Sequence, residues 1–162
     1  MNQTANPNNV QYGGDHYMNA GKAQHWDMIT VFGYGWEYYI ARATAYLTRV
    51  KQPELDPKKA GHFVEKLIWL IDSGVVRPTY GERMVRTVAE LNHYLTDVYF
   101  PANNIRLTSN EAQAITALMF ARNRSDLMAA RAIINAIDIN ANQDRTFVFG
   151  DDAIAACSRD EK

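Results

Sequence analysis

Two rows of side chains in the first half of the chain have the right types to hold a phosphate. Tyr38, Arg42, Ala45 and Arg49 recur at three- and four-residue steps, as do Lys59, His62, Lys66 and Trp69, and such spacing places each set along one stripe of a helix. Arginine presents a planar fork of donors and lysine a point charge, and both suit phosphate oxygens. Lys51 adds a further cation between the rows. Upstream, "VQYGGDHYMNAGKAQHWDMI" gathers more polar chemistry. Gly13 and Gly14 permit close backbone approach to a ligand, Asp15 offers an acceptor, His16 an imidazole and Tyr17 a phenol. Trp26, Tyr34, Trp36 and Tyr39 suit a core, and any of them could stack on a base. A basic stripe is also what a solvated helix face looks like, and "GGDHY" also suits a plain turn. In the functional reading the Gly13–Tyr17 segment folds over the stripes, bringing His16 and Tyr17 beside Arg49, Lys59 and His62, within the same chain or across a subunit boundary.

Other chemistries find less support. No GxxxxGK[ST] or GxGxxG occurs, and "GYG" at 33–35 reads as a turn. His16, His25, His62 and His93 include no pair at helical metal-ligand spacing. The acids Glu65, Asp72, Glu82 and Glu90 lack the paired three-residue steps that would hold magnesium in a helical pyrophosphatase. A protein-held metal is therefore not expected, although Mg2+ could arrive with a nucleotide. No serine lies in a nucleophile elbow, and Cys157 sits in a polar tail.

The elements that must position these groups read as helices. From Trp36 to Val50 the apolar residues Trp36, Tyr39, Ile40, Ala43, Tyr46, Leu47 and Val50 make one buried face, predicting a helix over 36–50. "KQPELDPKK" breaks it, and Asp56 followed by Pro57 suits the cap and first turn of a second helix over 56–71, which Gly74 ends. The short connection predicts an antiparallel hairpin. A third helix is predicted between Pro78 and Pro101. A fourth follows a capping box of Thr108 and Glu111, and a fifth is capped by Ser125 and ends at 140–143. "TFVF" near the end suits a lone strand or an extended tail, and "DDAIAAC" a last helical turn. The expectation is an all-α domain of five or six helices. Residues 1–11 form a flexible arm, 12–74 the hairpin region and 75–162 a C-terminal helical addition.

Composition agrees with one core. The 162 residues are 47% hydrophobic and 22% charged, ordinary for a globular chain, and no run approaches the roughly 20 apolar residues that cross a bilayer. The polar "MNQTANPNN" start has no export signature, and a single cysteine precludes an internal disulfide, both fitting a reducing cytoplasm. Seventeen basic against eighteen acidic residues leave a net charge of -1, which disfavours duplex nucleic acid as a partner and confines any anion site to a local cluster.

Taken in order, "GGDHY", "HWDMI", "YYIARATAYLTRVKQ" and "DPKKAGHFVEKLIWLI" resemble a family of small tailed-phage proteins of mostly unknown function that includes the coliphage nucleotide kinase lacking a Walker loop. The likeness covers about residues 12–72. It rests on His16 and Tyr17, then Asp27 and Ile29, then Tyr46, Leu47 and Arg49, then Asp56, Lys59, Ala60, Phe63, Leu67 and Ile68. Arg42 and Ala45 depart from it, standing where the family commonly has asparagine and lysine. The resemblance implies a phage protein of the host cytoplasm, a homo-oligomer that handles nucleotides. The leading expectation is a nucleoside monophosphate kinase without a P-loop, with His16, Asp15 and Arg49 as catalytic residues. Gly14, Tyr17, Trp26, Arg42, Tyr46, Lys51, Lys59, His62 and Lys66 would bind the nucleotide, and Mg2+ would come with it. The alternatives are a non-catalytic protein that sequesters a host nucleotide signal and a structural or interaction protein.

Overall fold

A computed structural model describes residues 25–49, 52, 54–79, 87–99, 102 and 109–137. Six α-helices run through these residues: α1 (His25–Val31), α2 (Gly35–Thr48), α3 (Asp56–Asp72), α4 (Val88–Tyr94), α5 (Ser109–Phe120) and α6 (Arg124–Asn135). A π-helical turn, Leu95–Tyr99, extends α4. The described residues contain no strand, and the protein is all-α. The predicted arm, the "TFVF" segment and "DDAIAAC" lie outside them.

The helix periodicity of α2 decides its packing. Trp36, Tyr39, Ile40, Ala43 and Leu47 are buried at three- and four-residue steps. On α3 the buried face holds Ala60, Phe63, Val64, Leu67, Ile68 and Leu70. Arg49, just past α2, bonds Asp56 at the start of α3. Val76, just past α3, packs beside Gly35 at the start of α2, so the two helices run antiparallel. A Cβ on Gly35 would stand 2.8 Å from Val76 Cγ2, which explains a glycine at this crossing. Gly74 ends α3 in the left-handed region at φ 71°. Val75 N donates to Leu70 O and Gly74 N to Ile71 O, satisfying carbonyls the helix end leaves open.

The remaining helices cover the pair. Ala114, Ile115 and Leu118 of α5 and Leu127, Ala130 and Ile134 of α6 join α2 and α3 in a single core cluster that also includes Trp26. Arg131 of α6 pairs with Glu65, and Arg124 with Asp72, pinning α6 along α3.

Several boundaries differ from expectation for local reasons. Within the predicted third helix, α4 begins at Val88, and residues 80–86 lie outside the described residues. Thr87 is extended at φ -125°, and its side chain caps α4 in a capping box with Glu90. The fifth helix is capped by Asn123, reciprocally with Asp126, and not by Ser125. Asn123 has an acid three residues on, whereas Ser125 has Met128. That helix stops at Asn135 with Ala136 as its C-cap, ahead of 140–143. Asp56 does not cap its own helix either; its carboxylate turns back to the connecting loop.

Candidate functional site: a cationic face on α2 and α3

Arg42, Tyr46 and Arg49 follow one another at four- and three-residue steps on or just past α2, and Lys59 lies one turn into α3. The antiparallel pairing brings them together around the Tyr46 ring. The Arg42 guanidinium carbon stands 5.4 Å from the ring centroid, that of Arg49 4.3 Å and Lys59 Nζ 5.8 Å. These distances fall within cation–π range. Phe63 stacks on Tyr46 with centroids 5.6 Å apart and planes 21° from parallel, and Arg42 also lies 5.5 Å from Phe63. A two-ring platform thus gathers three cations.

One carboxylate answers them. Asp56 Oδ1 accepts from Arg49 Nε at 3.1 Å and from Arg49 Nη2 at 2.8 Å, and Asp56 Oδ2 accepts from the Gln52 amide at 3.0 Å. The Asp56 side chain is 3% exposed and that of Arg49 38%. Among the described residues, Arg42 and Lys59 have no carboxylate partner. Lys59 Nζ donates to the Gln52 amide oxygen at 2.8 Å, and Arg42 Nη2 reaches the Tyr46 hydroxyl at 3.4 Å. Arg42 Nε is buried without an acceptor. Among the described residues, three cations against one engaged carboxylate leave a local positive surplus. An anion with several oxygens suits such a surplus.

The expected second stripe divides. His62 and Lys66 are buried, not set on a solvated face, because the short helix α1 lies over them. Trp26 of α1 packs against His62 and Phe63, and the Lys66 ammonium stands 4.8 Å from the Trp69 ring and 6.0 Å from Trp26. Burial pushes the Lys66 ammonium below its usual range, against the opposing pull of Asp27 on α1. Trp26, His62 and Lys66 therefore belong to the α1–α3 packing and do not join the cationic face. Ala45 is also off it, lining an apolar groove on another side of α2 with Ala41. Gly14, Asp15, His16, Tyr17 and Lys51 lie outside the described residues.

Burial also lowers the His62 imidazole below its ordinary 6.5. Glu65 opposes the shift, and Lys66 and Arg131 reinforce it. A base whose folded value is lowered binds fewer protons in the native state. Its contribution to stability is fully present above 6.5 and is lost as pH falls from there through the lowered value. We expect the thermal midpoint to fall between about pH 7.5 and about pH 5.5, and to fall less in a His62→Gln variant. Equal pH sensitivity in the two proteins would contradict this assignment.

Phe63, Gln52 and Asp56 were not singled out for the site from sequence. The usable signal was Arg49 and Asp56, a cation and an acid flanking a proline-broken connection. Among the described residues no helix is long and apolar enough to span a membrane, and no group of three His, Cys, Asp or Glu is arranged to hold a metal ion. Comparison with protein-family models, curated proteins and solved structures yields no match for this chain.

Proposed function

We propose that the face formed by Arg42, Tyr46, Arg49 and Lys59 binds the phosphate groups of a nucleotide, and that the reaction is phosphoryl transfer from a nucleoside triphosphate to a nucleoside monophosphate. The observation that carries the reading is the local surplus, among the described residues, of three cations over one carboxylate, in a chain whose overall charge is -1. Phosphoryl transfer asks a protein mainly to position two substrates and stabilise charge on the transferred group, work suited to arginine and lysine. The resemblance to the phage family over residues 12–72 points the same way. In this reading His16 and Asp15 orient the acceptor, and Mg2+ enters on the triphosphate. The setting is the host cytoplasm.

The test is incubation of the full chain with ATP, magnesium and each nucleoside monophosphate, with diphosphate as the product sought. Arg49→Ala is a poor control, because it also strands the buried Asp56. Arg42→Gln and Lys59→Gln are better. Each is expected to weaken nucleotide binding by about 10- to 100-fold, the loss of one hydrogen bond to a charged group, with helicity by circular dichroism unchanged. Binding unaffected by either substitution would remove the site.

One observation favours a second reading, a non-catalytic protein that sequesters a nucleotide signal. Both oxygens of Asp56, the carboxylate of the described cluster, are already engaged, so among the described residues this face offers charge without a free acid or base. Recovery of chemically intact ligand after tight binding would select it; diphosphate formation would exclude it.

A further inference from the structure

We propose that two copies of this chain pair through a protruding apolar turn of each, seated in an apolar groove of the other. The turn joins α1 to α2. Its sequence "MITVFGY", residues 28–34, contains no charged residue. Val31 is 85% and Phe32 71% exposed, and Met28 and Tyr34 are exposed beside them. The four expose on the order of 500 Å² between them, at the upper end of what a monomer shows to water. The turn is also held in shape. Phe32 N donates to Met28 O, Gly33 N to Thr30 O and Tyr34 N to Ile29 O, and Gly33 takes φ 88°, which glycine accepts without strain. A turn fixed this way cannot withdraw its side chains into the core.

The complementary surface lies on the same molecule. A groove of about 610 Å³ runs between α2, the α4–π segment and α5, with Ala41 and Ala45 leaving room in one wall and Trp36, Tyr94, Tyr99 and Met119 among its larger lining residues. The threonine hydroxyls that face it are satisfied internally: Thr44 donates to Ile40 O, Thr48 to Ala45 O and Thr79 to Glu37, whose carboxylate is the charged group on the lining. What the groove offers is therefore mainly apolar surface, with space for aromatic or aliphatic side chains. The turn ends at Tyr34 and the groove begins at Trp36, so both surfaces meet at the start of α2. That fixed adjacency prevents the turn from entering its own groove. It also suits a two-fold axis near Trp36, where each turn crosses into the other copy's groove and every contact is made twice. Turn and groove walls together approach the roughly 800 Å² per partner of a stable interface. Pairing desolvates no ion in the turn, and a net charge of -1 sets up little repulsion between copies. The cationic face is on the Arg42 side of α2 and stays open, so this inference is independent of the nucleotide reading.

Sedimentation equilibrium of the full chain tests it. The expected result is a concentration-dependent dimer, weakened at least about tenfold by Phe32→Asp in the turn or Ala45→Glu in the groove, with helicity unchanged. Both positions are exposed, and Val31→Ser gives a milder probe of the turn if Phe32→Asp folds poorly. An equimolar mixture of the turn and groove variants keeps one intact turn–groove contact, and should associate more tightly than either variant alone. In a Cys157→Ser background, Phe32→Cys combined with Ala45→Cys should give an interchain disulfide. A monomer at about 100 μM, a dimer indifferent to both surfaces, or open-ended polymers would each overturn the proposal.

Discussion

Replacing Asp56 by alanine is expected to destabilise the protein by about 2–4 kcal/mol in urea denaturation, through loss of charge-assisted hydrogen bonds to a nearly buried carboxylate. The carboxylate closes the connection between α2 and α3 from both sides, accepting two bonds from Arg49 and one from the Gln52 amide. Without it the Gln52 amide loses its acceptor and Arg49 loses its partner. Arg49 is 38% exposed, so water recovers part of its solvation and the pair is worth less than a fully buried one. Asp56→Asn keeps an acceptor for Gln52 but gives up the charge, and should cost about half as much. The consequence extends to function, because Arg49 held by Asp56 is what sets one cation on the Tyr46 ring. An Asp56→Ala protein as stable as the parent would mean the connection is held by something else.

The second large effect belongs to the core beneath the site. Leu67 is 1% exposed on α3, within the cluster that joins α2, α3, α5 and α6. Leu67→Ala removes buried methyl groups and leaves a cavity that rigid helices fill only in part, at an expected cost of about 3–4 kcal/mol. Val75→Ala, at a position 58% exposed beyond the end of α3, should stay within about 0.5 kcal/mol of the parent. Comparable losses at the two positions would contradict the packing described for α3.

How much of this was legible in the sequence depends on which interactions decide each element. The buried faces of α2 and α3 repeat over several turns, so periodicity alone revealed them, and Gly74 announced its own turn. The seven-residue α1 offers too few repeats for that signal. Without α1, nothing in the spacing of His62 and Lys66 showed that a neighbouring helix would bury them. Its three-residue step from Arg42 suggests that Ala45 belongs to the basic stripe. At 3.6 residues per turn that step lags by about 60°, whereas Tyr46 leads by about 40° and Arg49 lags by only about 20°. This offset puts Tyr46 among the cations and turns Ala45 toward the groove. Asn123 and Ser125 are equivalent as isolated caps, and Asp126 decides between them. The gathering of Arg42, Arg49 and Lys59 on one ring depends on the antiparallel register of two helices, a tertiary fact that no single helix pattern contains.

The proposed function rests on the cationic face holding a nucleotide by its phosphates. Calorimetric titration of the full chain with a nucleoside triphosphate and with the matching nucleoside addresses it most directly, repeated on Lys59→Gln and at raised salt. The expected result is binding of the triphosphate and not of the nucleoside, weakening as salt screens the cations, and a further loss of about 10- to 100-fold in Lys59→Gln. Equal affinity for triphosphate and nucleoside, or triphosphate binding indifferent to Lys59→Gln, would contradict it.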